Sequence, residues 1–128
     1  MSKLHPEHDL QIIIVDYLSK ACPHAMVFCS LNGVYLGAGT HSSVYVAKLR
    51  KMGLRTGEPD LRIHWLEKVD GFKPRPATLF LELKIKPNKV TPQQAECMID
   101  LTNIGFPCEV AHSFDEAIEY FRKYGLIR

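Results

Sequence analysis

The chain has 128 residues and a mass of 14.6 kDa, which suits one compact domain and leaves little room for a second. Hydrophobic residues make up 46% of the sequence and charged residues 23%, a balance typical of globular proteins that argues against wholesale disorder, collagen and coiled coils. The net charge of +2 neither indicates nor excludes a nucleic-acid partner, so the placement of the basic residues is the relevant evidence.

Eight predicted elements follow one another along the chain, judged from hydrophobic periodicity and turn residues. They are a helix at 6–21, a strand at 25–31, a helix at 41–52, strands at 60–66 and 78–86, a helix at 92–104, a strand at 106–111 and a helix at 114–124. The two middle strands can pair as an antiparallel hairpin, whereas the flanking strands need helical crossovers. The order predicts a single α/β domain over residues 1–128, in which a small mixed sheet carries helices on both faces.

Two irregular segments separate these elements. The glycine-rich stretch 33–39 contains neither the dinucleotide-binding pattern nor the P-loop pattern, and we expect it to form a flexible loop near the functional site. The connection 67–77 joins the strands of the hairpin and carries three basic residues. It either contacts a nucleic acid or is a solvated arm.

The sequence also bounds the compartment and the cysteine chemistry. No apolar run approaches the roughly 20 residues that cross a bilayer, and the first residues lack the apolar stretch of a secretory signal, so we expect a cytoplasmic protein with no membrane partner. The four cysteines include no Cys-x-x-Cys pair, which disfavours a zinc ribbon or a disulfide scaffold. Cys22, His24 and Cys29 could meet a metal, but the simpler interpretation is that these cysteines are small apolar residues.

Glu82 and Lys84 are the first residues that indicate chemistry. Residues two apart in a strand project to the same face, so this carboxylate and this ammonium are expected to be neighbours, opposite the leucines that enter the core. Phe80 shares their face, which is therefore not simply exposed to solvent. Buried charges must be paired or used. The alternative is an ordinary ion pair on a half-exposed strand.

Asp60 precedes the neighbouring strand, and hairpin pairing would bring it close to Glu82. Two carboxylates could then share a hard divalent cation such as Mg²⁺, with the backbone carbonyl of Leu83 as a further ligand. Lys84 could orient or activate a water, or stabilise charge on a phosphate. The alternative for Asp60 is a turn residue or strand cap, since Pro-Asp pairs are common in turns.

Three motifs in this order resemble those of the PD-(D/E)XK nuclease superfamily, and more closely its VRR-NUC branch in the short stand-alone form typical of phages and bacteria. The motifs are Gly57-Glu58-Pro59-Asp60-Leu61, Phe80-Leu81-Glu82-Leu83-Lys84 and Thr91-Pro92-Gln93-Gln94. Glu7 and Gln11 in the first helix, Asn32-Gly33 at a strand end and the final segment 105–116 agree with it. The resemblance covers nearly the whole chain and implies a restriction-endonuclease-like three-layer α/β/α core.

The resemblance implies a role for each matching residue. Asp60 and Glu82 would be the metal-binding carboxylates and Lys84 the catalytic lysine. Glu7 would lie beside the metal site, although it is also a favourable acid in a helical first turn. Gln94 would approach the site from the third helix, yet it equally completes a capping box with Thr91, and we expect that one residue rarely serves both purposes well.

The implied activity is a DNA endonuclease that depends on Mg²⁺ or Mn²⁺ and hydrolyses phosphodiester bonds. Stand-alone relatives of this type resemble homodimeric junction-cleaving enzymes, which implies a Holliday-junction or branched-DNA resolvase. Basic residues would hold backbone phosphates, or would simply form solvated faces. They are Lys48, Arg50, Lys51, Arg55, Lys86 and Lys89.

Two other functions stay open at this point. The fold could serve as a non-catalytic DNA-binding or interaction module, in which Asp60, Glu82 and Lys84 form an ordinary ion-pair cluster. The protein could also be a nuclease that acts on RNA or on single strands. A non-catalytic module has no need for two adjacent carboxylates, which favours the enzyme.

Overall fold

The computed structural model describes residues 5–30 and 43–128, and in that part of the chain the helices and strands alternate as expected. They are α1 (Pro6–Ala21), β1 (Met26–Cys29), α2 (Ser43–Lys51), β2 (Leu61–Glu67), β3 (Arg75–Leu83), α3 (Pro92–Asn103), β4 (Cys108–Ala111) and α4 (Phe114–Lys123). The glycine-rich stretch 33–39 lies outside the described residues. No described helix is long and apolar enough to cross a membrane.

The four strands form one mixed sheet in the order β1-β2-β3-β4. β1 pairs with β2 and β2 with β3 in antiparallel fashion, while β3 and β4 are parallel. The parallel pair is joined through α3, because parallel neighbours need a crossover. The predicted hairpin and the predicted mixed sheet are both confirmed.

Alternation along β3 separates two faces of the sheet. Leu79, Leu81 and Leu83 are at most 1% exposed and belong to the core with α1 and α4. Phe80 and Glu82 point the opposite way, because successive strand residues face opposite sides. On that side Phe80 packs edge-on against Phe106 after α3. The sheet therefore lies between α1 and α4 on one face and α3 on the other, which is the expected three-layer α/β/α core.

The predicted ends of β3 were wrong. The strand was expected at 78–86 but spans Arg75–Leu83. At its start the hairpin extends to the pair of Glu67 with Arg75. At its end the chain leaves the sheet, because the Ile85 N–H donates to a side chain of α1 rather than to a strand. Lys84 therefore lies just beyond the strand, although its N–H still donates to the Ala111 carbonyl at 3.0 Å.

The remaining elements differ from expectation mainly at their ends. α1 has the predicted bounds, and α3 and α4 each end one residue early. β1 and β4 are shorter than predicted, with four residues each. In the described part of the chain these are the two edge strands, with a pairing partner on one side.

α1 is held to the sheet by one stripe of its surface. Leu10, Ile14 and Leu18 recur every four residues and are buried in the core, whereas Ile12 is 66% exposed. Burial of this stripe fixes the position of the first turn of the helix, where Glu7 lies.

The stripe generates a stability prediction. Ile14→Ala should lower the free energy of unfolding by about 2–5 kcal/mol, because it leaves a cavity in the core. The matched change Ile13→Ala, at a residue that is 41% exposed, should cost about 1 kcal/mol at most. Urea unfolding of both variants measures the difference. Equal losses would contradict the assigned orientation of α1.

Candidate active site

Asp60 and Glu82 meet where β2 begins and β3 ends. Leu61 pairs with Leu81, so one step further the register sets Asp60 opposite Glu82. The Asp60 carboxylate accepts a hydrogen bond from the Leu83 N–H at 2.8 Å, which fixes it against the neighbouring strand. Glu82 is only 1% exposed. The hairpin thus brings together the two carboxyl groups that the sequence analysis singled out.

Burial and mutual repulsion oppose ionisation of this pair. Burial and the charge of Asp60 raise the pKa of Glu82 to about 8, against a smaller opposing effect of Lys84. Burial also raises the pKa of Asp60, whereas hydrogen bonds with the Leu83 N–H and with the Glu82 carboxyl group act in the opposite direction. Without a cation, therefore, the pair retains a proton near neutral pH, as expected of two carboxyl groups in one dry site.

Lys84 lies on the same side of the chain as Glu82. Its Nζ is 3.4 Å from Oε2 of Glu82, and the residue is 8% exposed. Its ammonium group is thus held at the carboxyl pair, where it can also reach a reacting group.

Gln94 contacts Glu82 and caps α3 at the same time. Its Oε1 accepts from the Thr91 N–H at 2.9 Å and its own N–H donates to Thr91 Oγ1, which closes the capping box. Its Nε2 donates to Oε2 of Glu82 at 3.2 Å. The cap and the contact with Glu82 coexist, although one residue was expected rarely to serve both purposes, because the amide has an acceptor for the cap and a separate donor for the carboxylate.

Glu7 lies beside the pair and is tied to the loop after β3. Its Oε2 accepts from the Ile85 N–H at 3.0 Å and from Asn88 Nδ2 at 2.7 Å. Its charge also raises the pKa of Asp60, which places the two carboxylates within electrostatic reach. Asn88 was not predicted from the sequence, where its signal was the turn-forming Pro87-Asn88 pair.

The backbone of Gly57, in the turn before β2, packs directly against the backbone at the start of α3. Its φ is +91°, and a Cβ at this position would lie 2.4 Å from the carbonyl oxygen of Gln93. Only glycine allows so close an approach of two backbones. Asp60 and Gln94 follow these two backbones, so the contact helps bring them to one site.

The residues present fit a hard divalent cation. Oε1 of Glu82 is buried without a hydrogen-bond partner in the described structure, which is costly unless another group binds it. Carboxylate and carbonyl oxygens from Asp60, Glu82 and Leu83 match the preference of Mg²⁺ or Mn²⁺. Residues 5–30 and 43–128 contain no group of three His, Cys, Asp or Glu side chains that could hold a metal. Water and phosphate oxygens would therefore complete the coordination.

The basic residues predicted to contact DNA fall on two separate segments. Lys48, Arg50 and Lys51 occupy the last turn of α2, and Arg55 follows that helix and pairs with Asp100 at 2.6 Å. Lys86 and Lys89 are exposed in the loop after β3, close along the chain to Lys84. The second group thus follows the carboxyl pair directly along the chain, whereas Arg55 of the first group is tied to α3 through Asp100.

Comparison with known families gives a match over most of the chain. A model of the VRR-NUC domain matches residues 7–115. The chain belongs to the VRR-NUC family. This is a family of nucleases, and its proteins generally use divalent metals. This agrees with the resemblance drawn from the three motifs.

The VRR-NUC fold is also found among solved structures. A chain described as "VRR_NUC domain protein" aligns with 92% of this chain and 86% of its own length, at 21% sequence identity and a TM-score of 0.62. A likeness at this identity establishes the fold. Comparison with curated protein sequences finds no significant match.

The raised pKa of Glu82 predicts the pH dependence of stability in this VRR-NUC domain. The folded value of about 8 lies above the ordinary value of 4.5, so stability should fall as the pH rises between the two. Glu82→Gln removes this titration and should raise the melting temperature in EDTA more at pH 8.5 than at pH 5. Thermal melts at both pH values measure this. A difference that does not depend on pH would contradict it.

Gly57 allows a second prediction at the site. Gly57→Ala should destabilise the protein by more than Gly53→Ala, because both glycines have a positive φ but only Gly57 meets another backbone. The control should cost about 1–2 kcal/mol from backbone strain alone. Urea unfolding separates the two variants. Similar costs would show that the contact with Gln93 contributes nothing.

Proposed function

We propose that this protein is an endonuclease that depends on Mg²⁺ or Mn²⁺ and hydrolyses phosphodiester bonds in DNA. The observation that carries the proposal is the pairing of the half-buried Asp60 with the buried Glu82, in which Glu82 Oε1 has no hydrogen-bond partner among the described residues and Lys84 lies beside it. The large majority of buried side-chain acceptors in proteins are hydrogen-bonded, so an unpartnered oxygen at this pair favours a bound cation. Membership of the VRR-NUC family supports the same conclusion.

In this proposal each residue of the site has a distinct task. Asp60, Glu82 and the Leu83 carbonyl hold the cation, which when bound stabilises negative charge on the phosphate and increases the acidity of water. Gln94 engages Oε2 of Glu82 and thereby leaves Oε1 for the cation. Glu7, braced by Asn88, supplies further negative charge at the edge of the site.

Lys84 acts on the reacting groups themselves. Its ammonium donates to the attacking water or to a phosphate oxygen, which orients the water and offsets charge that develops as the phosphorus–oxygen bond breaks. Water attacks in line and no covalent enzyme intermediate forms. Because Lys84 already lies at Glu82, little reorganisation is needed.

We propose that the basic residues bind backbone phosphates without reading bases. Lys86 and Lys89 would hold the strand next to the site, and the basic last turn of α2 would hold a more distant phosphate. Such contacts are independent of sequence and weaken steeply with salt.

The preferred substrate in this proposal is branched DNA, cut by a homodimer. One active site cuts one strand, so a two-fold dimer supplies the two symmetric cuts that resolve a four-way junction. A groove of about 600 Å³ between α1 and β1 and exposed apolar side chains such as Ile12 and Met26 support an interface on this side of the described structure. Sedimentation measures the oligomeric state.

The test is cleavage of labelled four-way junction, flap, duplex and single-stranded DNA and of RNA, each with Mg²⁺, Mn²⁺ or EDTA. We expect paired symmetric cuts in the junction that disappear in EDTA. Preferential cutting of single strands or RNA would replace the junction substrate. Binding without any cleavage would favour a non-catalytic module.

Substitution of the site should separate catalysis from binding. Asp60→Asn and Glu82→Gln should each reduce cleavage by roughly 10³-fold or more, since they remove cation ligands, while DNA binding in a gel shift stays within a few-fold. Glu67→Gln, at the opposite end of the same hairpin, is the matched control and should cleave normally. Parallel loss of binding and cleavage would count against the assigned roles.

A further inference from the structure

An arginine outside the predicted DNA-binding set lies on the same face of the sheet as the carboxyl pair. Arg62 is two residues after Asp60 on β2, so its side chain projects to the same side about 6.6–6.8 Å further along the strand. Phe28 on β1 and Phe80 on β3 are its partners across the sheet. On this face of the sheet, the carboxyl pair is thus followed along β2 by a positively charged side chain.

The guanidinium of Arg62 is held by an aromatic ring rather than by an acid. Its Cζ lies 4.9 Å from the centroid of the Phe28 ring, and within the described residues it forms no ion pair. Nε of Arg62 is buried and has no hydrogen-bond partner there. An arginine so close to carboxylates would ordinarily pair with them. The guanidinium of Arg62 instead lies over the Phe28 ring.

The ring of Phe28 also contacts a second side chain of β2. Its ring packs edge-on against His64 with 5.8 Å between the centroids, and His64 Nδ1 lies 2.8 Å from Thr78 Oγ1. Phe28 remains 40% exposed. The ring is therefore a restrained platform at the surface, and a guanidinium stacked on it is preorganised for a ligand.

We infer that Arg62 binds the DNA backbone at a phosphate adjacent to the one that is cut, with Phe28 as its positioning residue. This rests on the proposed nuclease function. Guanidinium is suited to phosphate because its planar donors can bind two oxygens at once and because it stacks on aromatic faces. Arg62 has no acidic partner among residues 5–30 and 43–128 and lies along the strand from the carboxyl pair. This spacing matches a polyanion that passes across both.

The test measures DNA binding in EDTA as a function of salt, which requires no cleavage. Binding weakens as salt rises, and removal of one phosphate contact makes the plot of log K against log salt less steep by about 0.9 for duplex DNA. For Arg62→Ala, the loss of affinity relative to wild type should therefore shrink about three- to fourfold between 50 mM and 200 mM salt. Arg122→Ala is the control, because Arg122 is exposed on α4, which packs on the opposite face of the sheet. An unchanged slope in folded Arg62→Ala would overturn the inference.

Conservative variants distinguish a phosphate contact from a packing role. Arg62→Lys keeps the charge and should restore the wild-type slope. Phe28→Leu should weaken binding in EDTA, whereas Phe28→Tyr retains the ring and should bind as wild type. If Phe28→Leu binds as wild type, or if Arg62→Lys keeps the reduced slope of the alanine variant, the assignment fails.

The same experiment separates this inference from the proposed function. A wild-type protein that binds DNA, cleaves nothing in any metal and still shows the slope change at Arg62 would contradict the nuclease while supporting the phosphate contact. A wild-type protein that cleaves the junction without a slope change at Arg62 would contradict only the inference. Absence of any DNA binding would overturn both.

Discussion

The register between β2 and β3 is the constraint on which the candidate site depends. Side chains alternate between faces, so a slip of one residue would turn Glu82 into the hydrophobic core and a leucine toward Asp60. The pairing of Leu61 with Leu81 is held in place by the leucines of β3, which are buried against α1 and α4. The energy that secures the site therefore comes from the opposite face of the sheet.

The site places carboxylates where little water reaches them, and neighbouring groups offset the loss of hydration by bonding to their oxygens. Gln94 and Lys84 each satisfy Oε2 of Glu82, and the Leu83 N–H satisfies Asp60. The remaining Oε1 of Glu82 has no partner in the described part of the chain. A buried carboxylate oxygen of this kind is destabilising in the free protein and favourable once a cation binds. At Glu82 the same oxygen therefore lowers folding stability in the free protein and raises the affinity for the cation.

The local pattern of the sequence predicted the order of the elements and singled out Asp60, Glu82 and Lys84, but it did not single out Asn88 or Arg62. Alternating leucines identified β3, the Thr91–Gln94 spacing identified the start of α3, and the family model then agreed over residues 7–115. The end of β3 was misplaced because Ile85 continues the apolar alternation, although its N–H bonds to Glu7 instead of to a strand. That bond joins residues far apart along the chain, and no local pattern records it.

The sequence by itself determined which side chains alternate, where helices are capped and which acids and bases lie near turns, because these depend on neighbours a few residues apart. Only the tertiary structure decided which of them meet. It raised the pKa of Glu82 through burial and the charge of Asp60, made Gly57 necessary through its contact with Gln93, and stacked Arg62 on Phe28. Each of these effects acts across the sheet or between layers, where distance in space is unrelated to distance along the chain.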